Sequence, residues 1–289
     1  MTAPLKPVDE ASFAECVGFV ARHESRCVTL MSNLVKDGNP EYPHDAVRSF
    51  VRLGNQSATE GVLLVTRTGI LLHCLDDKLD RAPAAPRIRQ FLSAQNVRCI
   101  IGAGDDTQYL ESLMPFAPER AVDYRLMTLE TIPPPEAAVI AITGADGSKP
   151  EIRHATPADA RDLLDLQEGY EREEVIPPGD PFDRDHCLLN LEKNLASQIV
   201  FVARSGSKAI AKAGTNARGL HLDQLGGVYT APDWRNRGLA SALVAQTARD
   251  RMQKGRNVVL FVKLTNASAI RAYQKVGFRP DIPFRISYF

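Results

Sequence analysis

Along the first 130 residues the spacing of apolar positions alternates between helical and extended. Residues 8–36 carry acids early and apolar side chains at helical spacing, which predicts a helix. The run "EGVLLVTRTGILLHCL" (60–75) predicts two strands around a turn at Arg67-Thr68-Gly69. A helix over 83–95, a strand over Val97–Ile101, a short helix over Asp105–Met114 and a strand over Ala121–Leu129 follow. The pattern then breaks at "TIPPPEAAVIAITGADGSKPE" (131–151). Three consecutive prolines oppose helix there, and Gly144 through Pro150 form a second turn-rich stretch. A short apolar run, Ala137 to Ile142, lies between them, so the connection is expected to be partly ordered.

After the break, Thr156 reads as a helix N-cap with Pro157 at the first helical position, and Asp159 and Asp162 suit the positive helix end. A second helix is expected over 182–197. Three strands are expected over Gln198–Ala203, Lys208–Thr215 and Leu220–Thr230, with hairpin turns at "RSGSK" and "NARG". Leu239, Leu243, Val244, Ala248 and Met252 recur at helical spacing, and they define a helix from near Arg237 to Gly255. A strand (Asn257–Leu264), a short helix (Asn266–Lys275) and a last strand (Ile282–Phe289) complete the pattern.

This alternation predicts an α/β or α+β protein, with one domain at 1–130, a linker at 131–150 and a second domain at 151–289. Composition is that of a globular chain, 44% apolar and 24% charged. The formal net charge of zero gives no reason to expect nucleic acid or an anionic membrane as partner. No apolar stretch approaches the roughly 20 residues of a membrane span, and the first residues carry acids rather than a secretion signal. The five cysteines are scattered and never in a C-x-x-C pair, which fits reduced thiols in a cytoplasmic protein. His186-Cys187 are neighbours that point about 100° apart on a helix, so no metal is expected.

"APDWRNRGLASALV" (231–244) brings chemistry into this frame. Arg235, Asn236, Arg237 and Gly238 stand where a strand gives way to a helix. The first N–H groups of that helix lack intrahelical partners and share the positive end of its dipole, which suits a phosphate. Gly238 and Ala240 keep bulk away, and the arginines can add charge-assisted bonds. An ordinary surface helix can begin the same way. Downstream, "LTNASAIRAYQKVGF" (264–278) has Asn266 as an N-cap and Gly277 at a helix end, with Ala269 and Tyr273 on one face.

Together the two stretches resemble the GNAT superfamily of N-acetyltransferases. That family carries R/Q-x-x-G-x-G/A between its fourth strand and the next helix, here Arg235-Asn236-Arg237-Gly238-Leu239-Ala240, and later N-x-x-A-x-x-x-Y-x-x-x-G-F, here Asn266 to Phe278. The resemblance covers about 151–289. It implies acetyl-CoA as cosubstrate and no metal. The pyrophosphate would lie on the N–H groups of Arg237 to Ser241, through Gly238, Leu239 and Ala240. The pantetheine arm would follow the open edge at Val228, Tyr229 and Thr230, and Asn266 and Ala269 would stand beside it. A backbone N–H near Val228 or Tyr229 would serve the oxyanion, and Tyr273 would be the general acid at the CoA sulfur. For a base, Asp223 is the nearest strand-four carboxylate, with His221 as an alternative; an acceptor amine of low pKa needs none.

Residues 1–130 resemble the superfamily only in element order, which suggests a tandem of two mixed-sheet GNAT-like domains, the first degenerate. No R/Q-x-x-G-x-G/A occurs in the first half, and Gly102-x-Gly104 reads as a plain strand-to-helix turn. The degenerate domain would wall the substrate cleft or provide a dimer-like interface within the chain. The implied activity is acetyl transfer to a primary amine of a small molecule or peptide, by a monomer or homodimer. The alternative is an acyl-CoA sensor without turnover. Glu171, Glu173 and Glu174 could attract a cationic amine.

Overall fold

The computed structural model describes residues 4–36, 38–42, 46–54, 58–142, 149–176 and 179–289. Strand β1 (Leu5–Pro7) leads into helix α1 (Glu10–Arg22). The start of α1 is closed reciprocally: Ser12 N donates to Asp9 Oδ1 at 2.9 Å and Asp9 N donates to Ser12 Oγ at 3.0 Å. The helix expected over 8–36 ends at Arg22. A 3-10 turn (Glu24–Arg26), the short helix α2 (Val28–Met31) and a ribbon of β2 (Val35–Lys36) and β3 (Asn39–Pro40) follow. The apolar positions of that stretch are still buried, Leu30, Met31 and Leu34 among them, because the chain turns back over the sheet instead of running on as one helix.

Strands β4 (Val47–Gly54), β5 (Thr59–Thr66) and β6 (Ile70–Leu75) pair antiparallel. Helix α3 (Arg81–Ser93) crosses over to β7 (Cys99–Ala103), which lies parallel to β6. Helix α4 (Gly104–Glu111) and strand β8 (Arg120–Leu129) close the first half. The second half repeats this plan. Strand β9 (Glu151–His154) is followed by a 3-10 turn (Pro157–Asp159), closed by Thr156 and Asp159, and by α5 (Ala160–Tyr170). A π-helical turn (Glu171–Val175) precedes α6 (Arg184–Ser197). Strands β10 (Val200–Ser205), β11 (Lys208–Arg218) and β12 (Leu222–Thr230) are antiparallel. Helix α7 (Leu239–Gln253) crosses to β13 (Asn257–Lys263), parallel to β12, and α8 (Ala267–Val276) and β14 (Arg279–Tyr288) complete the chain.

Strands β1, β4 and β9 were not expected from the apolar pattern: β1 and β9 are short, and β4 interleaves Arg48 and Arg52 with its apolar positions. The hairpin turn expected at "NARG" lies further on. β11 runs through Arg218, and the chain reverses over Gly219–His221, where Gly219 N donates to Leu222 O at 2.8 Å. Gly144 to Ser148 of the turn-rich stretch lie outside the described residues. The prolines before them lead into a short 3-10 turn (Pro135–Ala138), and Ala137, Ala138, Ile140 and Ile142 pack against the α7 cluster. Arg249 of α7 fastens the stretch by donating to the Pro133 carbonyl at 2.8 Å.

Among the described residues, twelve strands form one sheet, in the order β1-β4-β5-β6-β7-β14-β8-β13-β12-β11-β10-β9. The two halves exchange their last strands. β8 pairs antiparallel with β13, Tyr124 opposite Lys263 through Leu129 opposite Val258. β14 pairs antiparallel with β7, Tyr288 opposite Cys99 through Phe284 opposite Ala103. The two exchanged strands also pair with each other. Each half thus completes its hydrogen-bonded sheet with the other's strand, so the exchange leaves no open edge at the centre of the molecule. A second tie lies at the near end of β12: the buried Glu24 carboxylate accepts from His221 N at 3.0 Å and Leu222 N at 3.2 Å, and Thr29 Oγ1 donates to Gln224 Oε1 at 3.1 Å.

Candidate active site

The site begins where two parallel strands stop pairing. β12 and β13 are in register only from Leu222–Asn257 to Leu225–Leu260. Beyond that, β12 follows β11 and β13 follows β8, so the strands part. A bulge drives the divergence. Lys212 stands opposite Tyr229 and Gly214 opposite Gly226, which leaves Gly227 and Val228 without register partners on β11. Gly227 has φ 59°, a left-handed conformation open to glycine at little cost.

Between the parted strands lies a cleft of about 860 Å³. One wall is Gly226 to Thr230, with the start of α7 beyond it. The other is Phe261 to Lys263, with α8 beyond. The chain leaves β12 through a 3-10 turn (Pro232–Trp234) and curls into α7 with Asn236 at φ 61° and Gly238 at φ 81°. Two left-handed residues so close together turn the following N–H groups toward a common point, a geometry that accepts anions. Gly238 is the N-cap of α7, and nothing lies within 4 Å of where its Cβ would be. Ala242 N is bonded to the Gly238 carbonyl, so the free donors of the helix start are those ahead of it, at Leu239, Ala240 and Ser241.

The arginines behave differently from the backbone. Arg235 is engaged within the protein: it donates to both Glu173 oxygens at 2.7 and 2.9 Å and to the Thr230 carbonyl at 3.1 Å, and it lies over the Tyr229 ring. Arg237 lies over the Trp234 ring, 5.1 Å from its centre. On the opposite lip Asn266 caps α8 by accepting from Ala269 N at 3.0 Å, and its amide donates to Glu174 Oε1 at 3.1 Å. Tyr273, one turn along from Ala269 on the same helix face, is buried against Phe278 and lines the cleft. Burial, and then Tyr170 and Glu174, push its phenol well above the ordinary tyrosine range, so it holds its proton.

The structure therefore brings Val228, Tyr229, Thr230, Arg235, Asn236, Gly238, Leu239, Ala240, Ser241, Asn266, Ala269 and Tyr273 into one cleft. Arg237 stands beside its mouth. Asp223 does not join them. It is fully buried at the paired end of β12, where Arg251 Nε donates to it at 2.7 Å and Arg256 at 2.9 Å. The strand-four carboxylate read as a base is the anion of a buried ion pair. His221 lies in the turn before β12, its backbone held by Glu24.

Several cleft residues escaped the sequence reading. Of Glu171, Glu173 and Glu174, expected to attract a cationic amine, the last two also form a strap across the cleft. Glu173 reaches Arg235 on one lip, and Glu174 reaches Asn266 and Lys263 on the other, the latter at 3.0 Å. Tyr124 comes from β8 of the first half and Tyr288 from β14, through the strand exchange, which no local pattern encodes. Tyr170 ends α5; burial and the nearby Glu174 push its phenol up to about 12. Lys212, buried beside the cleft rather than lining it, had one available signal, a lone lysine among small apolar residues in "KAIAKAG".

No cluster of three or more metal-ligating side chains occurs among the described residues, and no helix among them is long and apolar enough to cross a membrane.

Residues 202–284 match the family model described as FR47-like protein. No curated protein matches the sequence. Among solved structures, a Drosophila protein aligns over 99% of both chains at 15% identity with a TM-score of 0.67. A GCN5-related N-acetyltransferase from Sphaerobacter thermophilus aligns over 98% of this chain and 94% of its own, at 15% identity and a TM-score of 0.59. A tandem GNAT protein from the clavulanic acid biosynthesis pathway aligns over 98% and 97%, at 9% identity and a TM-score of 0.59. The chain has the fold of the tandem GNAT proteins, with an FR47-like segment that carries both walls of the cleft.

Proposed function

We propose that the protein is an acetyl-CoA-dependent N-acetyltransferase acting on a primary amine of a small molecule or peptide. The observation that carries this reading is the meeting, in one cleft, of the free N–H groups at the start of α7, the open edge of β12 and the protonated Tyr273. Acetyl-CoA would supply the activated acetyl thioester. The backbone of Leu239 to Ser241 would hold its diphosphate, Gly238 leaving the approach clear. The β12 edge, free of β13 beyond Leu225, offers backbone groups to an extended arm.

The acceptor nitrogen forms a bond to the acetyl carbon as the C–S bond breaks, and the electron pair leaves with sulfur. A β12 backbone N–H would donate to the carbonyl oxygen and stabilise the negative charge that builds there, and Tyr273 would give its proton to the departing thiolate. The proton lost by nitrogen restores the phenol through water.

The test is release of CoA thiol with a panel of amines. Tyr273→Phe is expected to slow turnover about 100-fold or more, with acetyl-CoA affinity nearly unchanged. Equal turnover in both proteins removes Tyr273 from this role. Acetyl-CoA binding without thiol release for any amine favours the sensor reading instead.

A further inference from the structure

Lys212 is an unexpected residue to find beside this cleft. It sits in the middle of β11, 4% exposed, with small apolar neighbours on either side in the strand. A buried ammonium is costly unless something is gained from it. Its Nζ donates to the Gly227 carbonyl at 2.9 Å and lies 4.9 Å from the centre of the Tyr170 ring. Gly227 is the left-handed residue of the β12 bulge, and a Cβ there would stand 3.3 Å from the Lys212 nitrogen. The lysine and the bulge are therefore fitted to each other.

The Gly227 carbonyl and the Val228 N–H belong to one peptide unit, and in a trans peptide these bonds point in opposite directions. Pinning the carbonyl toward the α5–α6 side turns the Val228 N–H away from it. Val228 lines the cleft, packs against the α7 cluster on the other side and has no register partner on β11. A cation on the carbonyl also draws electron density from the peptide and strengthens its N–H as a donor.

We propose that Lys212 is the positioning residue of the acyl-transfer centre: by holding the Gly227 carbonyl, it aims and polarises the Val228 N–H toward the thioester oxygen. This rests on the reading of the cleft as an acetyl-CoA site. It selects Val228 as the oxyanion donor and gives the buried ammonium a purpose. The groups facing that ammonium are the Tyr170 ring of α5, Glu171 of the π turn and Cys187 of α6. Burial lowers the lysine to about 8 against the pull of Glu171 and Cys187, so it is mostly charged at neutral pH.

The test compares the backbone amide spectrum of the full chain with CoA and with acetyl-CoA, which differ only in the acetyl group. In wild type, the Val228 amide is expected to shift with acetyl-CoA beyond its response to CoA. That extra shift should fade as pH rises through about 8, a readout that needs no substituted protein. In Lys212→Met, whose side chain is of similar length, the acetyl-specific shift should vanish while CoA affinity holds, and kcat should fall about 10-fold to 100-fold without a matching rise in KM. A Val228 amide that answers both ligands alike in wild type overturns the proposal, as does an acetyl-specific shift that persists in Lys212→Met. If neither ligand perturbs any cleft amide, the acetyl-CoA reading falls first, and this inference with it.

Discussion

Each half of the chain has a parallel strand pair joined by a crossover helix, and in each the pair separates after a few residues. β6 and β7 are in register only from Ile70–Cys99 to Leu72–Ile101, much as β12 and β13 are over four positions. What fills the gap differs. In the second half the gap is a cleft of about 860 Å³. In the first, His73 occupies it: its ring presses on Gly102, where a Cβ would come within 2.3 Å, and Nε2 lies 2.9 Å from Thr107 Oγ1. About 10 Å³ remains. The crossover helices differ in the same sense. α7 is capped by an unobstructed Gly238, whereas α3 is capped by Asp80, whose carboxylate would repel a phosphate. One scaffold thus supports two outcomes, decided by a few side chains at the split and by the charge at one helix start.

The comparison can be tested where each half spends its buried charge. Asp223 is structural in this account. Asp223→Asn should cost stability, about 3–5 kcal/mol, because Arg251 and Arg256 would lose their buried anion. Urea denaturation measures this. Catalytic loss in Asp223→Asn with unchanged stability would return the residue to the site.

His73 gives a smaller effect with a defined pH dependence. Burial, then Arg26 and Arg81, lower its pKa from 6.5 to about 3. Below 6.5 the unfolded chain takes up a proton that the folded chain refuses, so stability is lost as pH falls toward 3. At about pH 4.5 the cost is about 3 kcal/mol. His73→Gln should remove that part of the acid sensitivity while leaving acetyl-CoA binding intact. An unchanged pH profile would mean that His73 is not held neutral in the filled gap.

The smallest effect is expected from Arg235→Ala. Arg235 is committed to Glu173 and Thr230, so acetyl-CoA affinity should weaken only a few-fold, about the scale of an exposed charge pair. A loss of 100-fold or more would show that the arginines, rather than the backbone, hold the anion.

The second half was the more legible in the sequence. Its phosphate loop and its capped helix are local: a glycine, a cap and an apolar spacing each state their geometry within about ten residues. The cleft residues from elsewhere were not. Tyr124 reaches the site because β8 enters the other half's sheet, and that pairing depends on the register of distant strands. Asp223 was misplaced for a related reason. Its position on β12 was readable, but Arg251 and Arg256 flank it only once α7 has crossed back over the sheet. In the first half the missing glycine motif was visible at once. The stopper, His73, was not, because a histidine within an apolar strand gives no sign of what it packs against.

One split in the chain is open and the other is filled by His73, so a single acetyl-CoA site per chain is expected. Calorimetric titration of the full chain with acetyl-CoA tests it most directly. One molecule is expected to bind per chain, and none after Gly238→Trp fills the approach to the α7 amides. Two molecules per chain, or binding that survives Gly238→Trp, would contradict it.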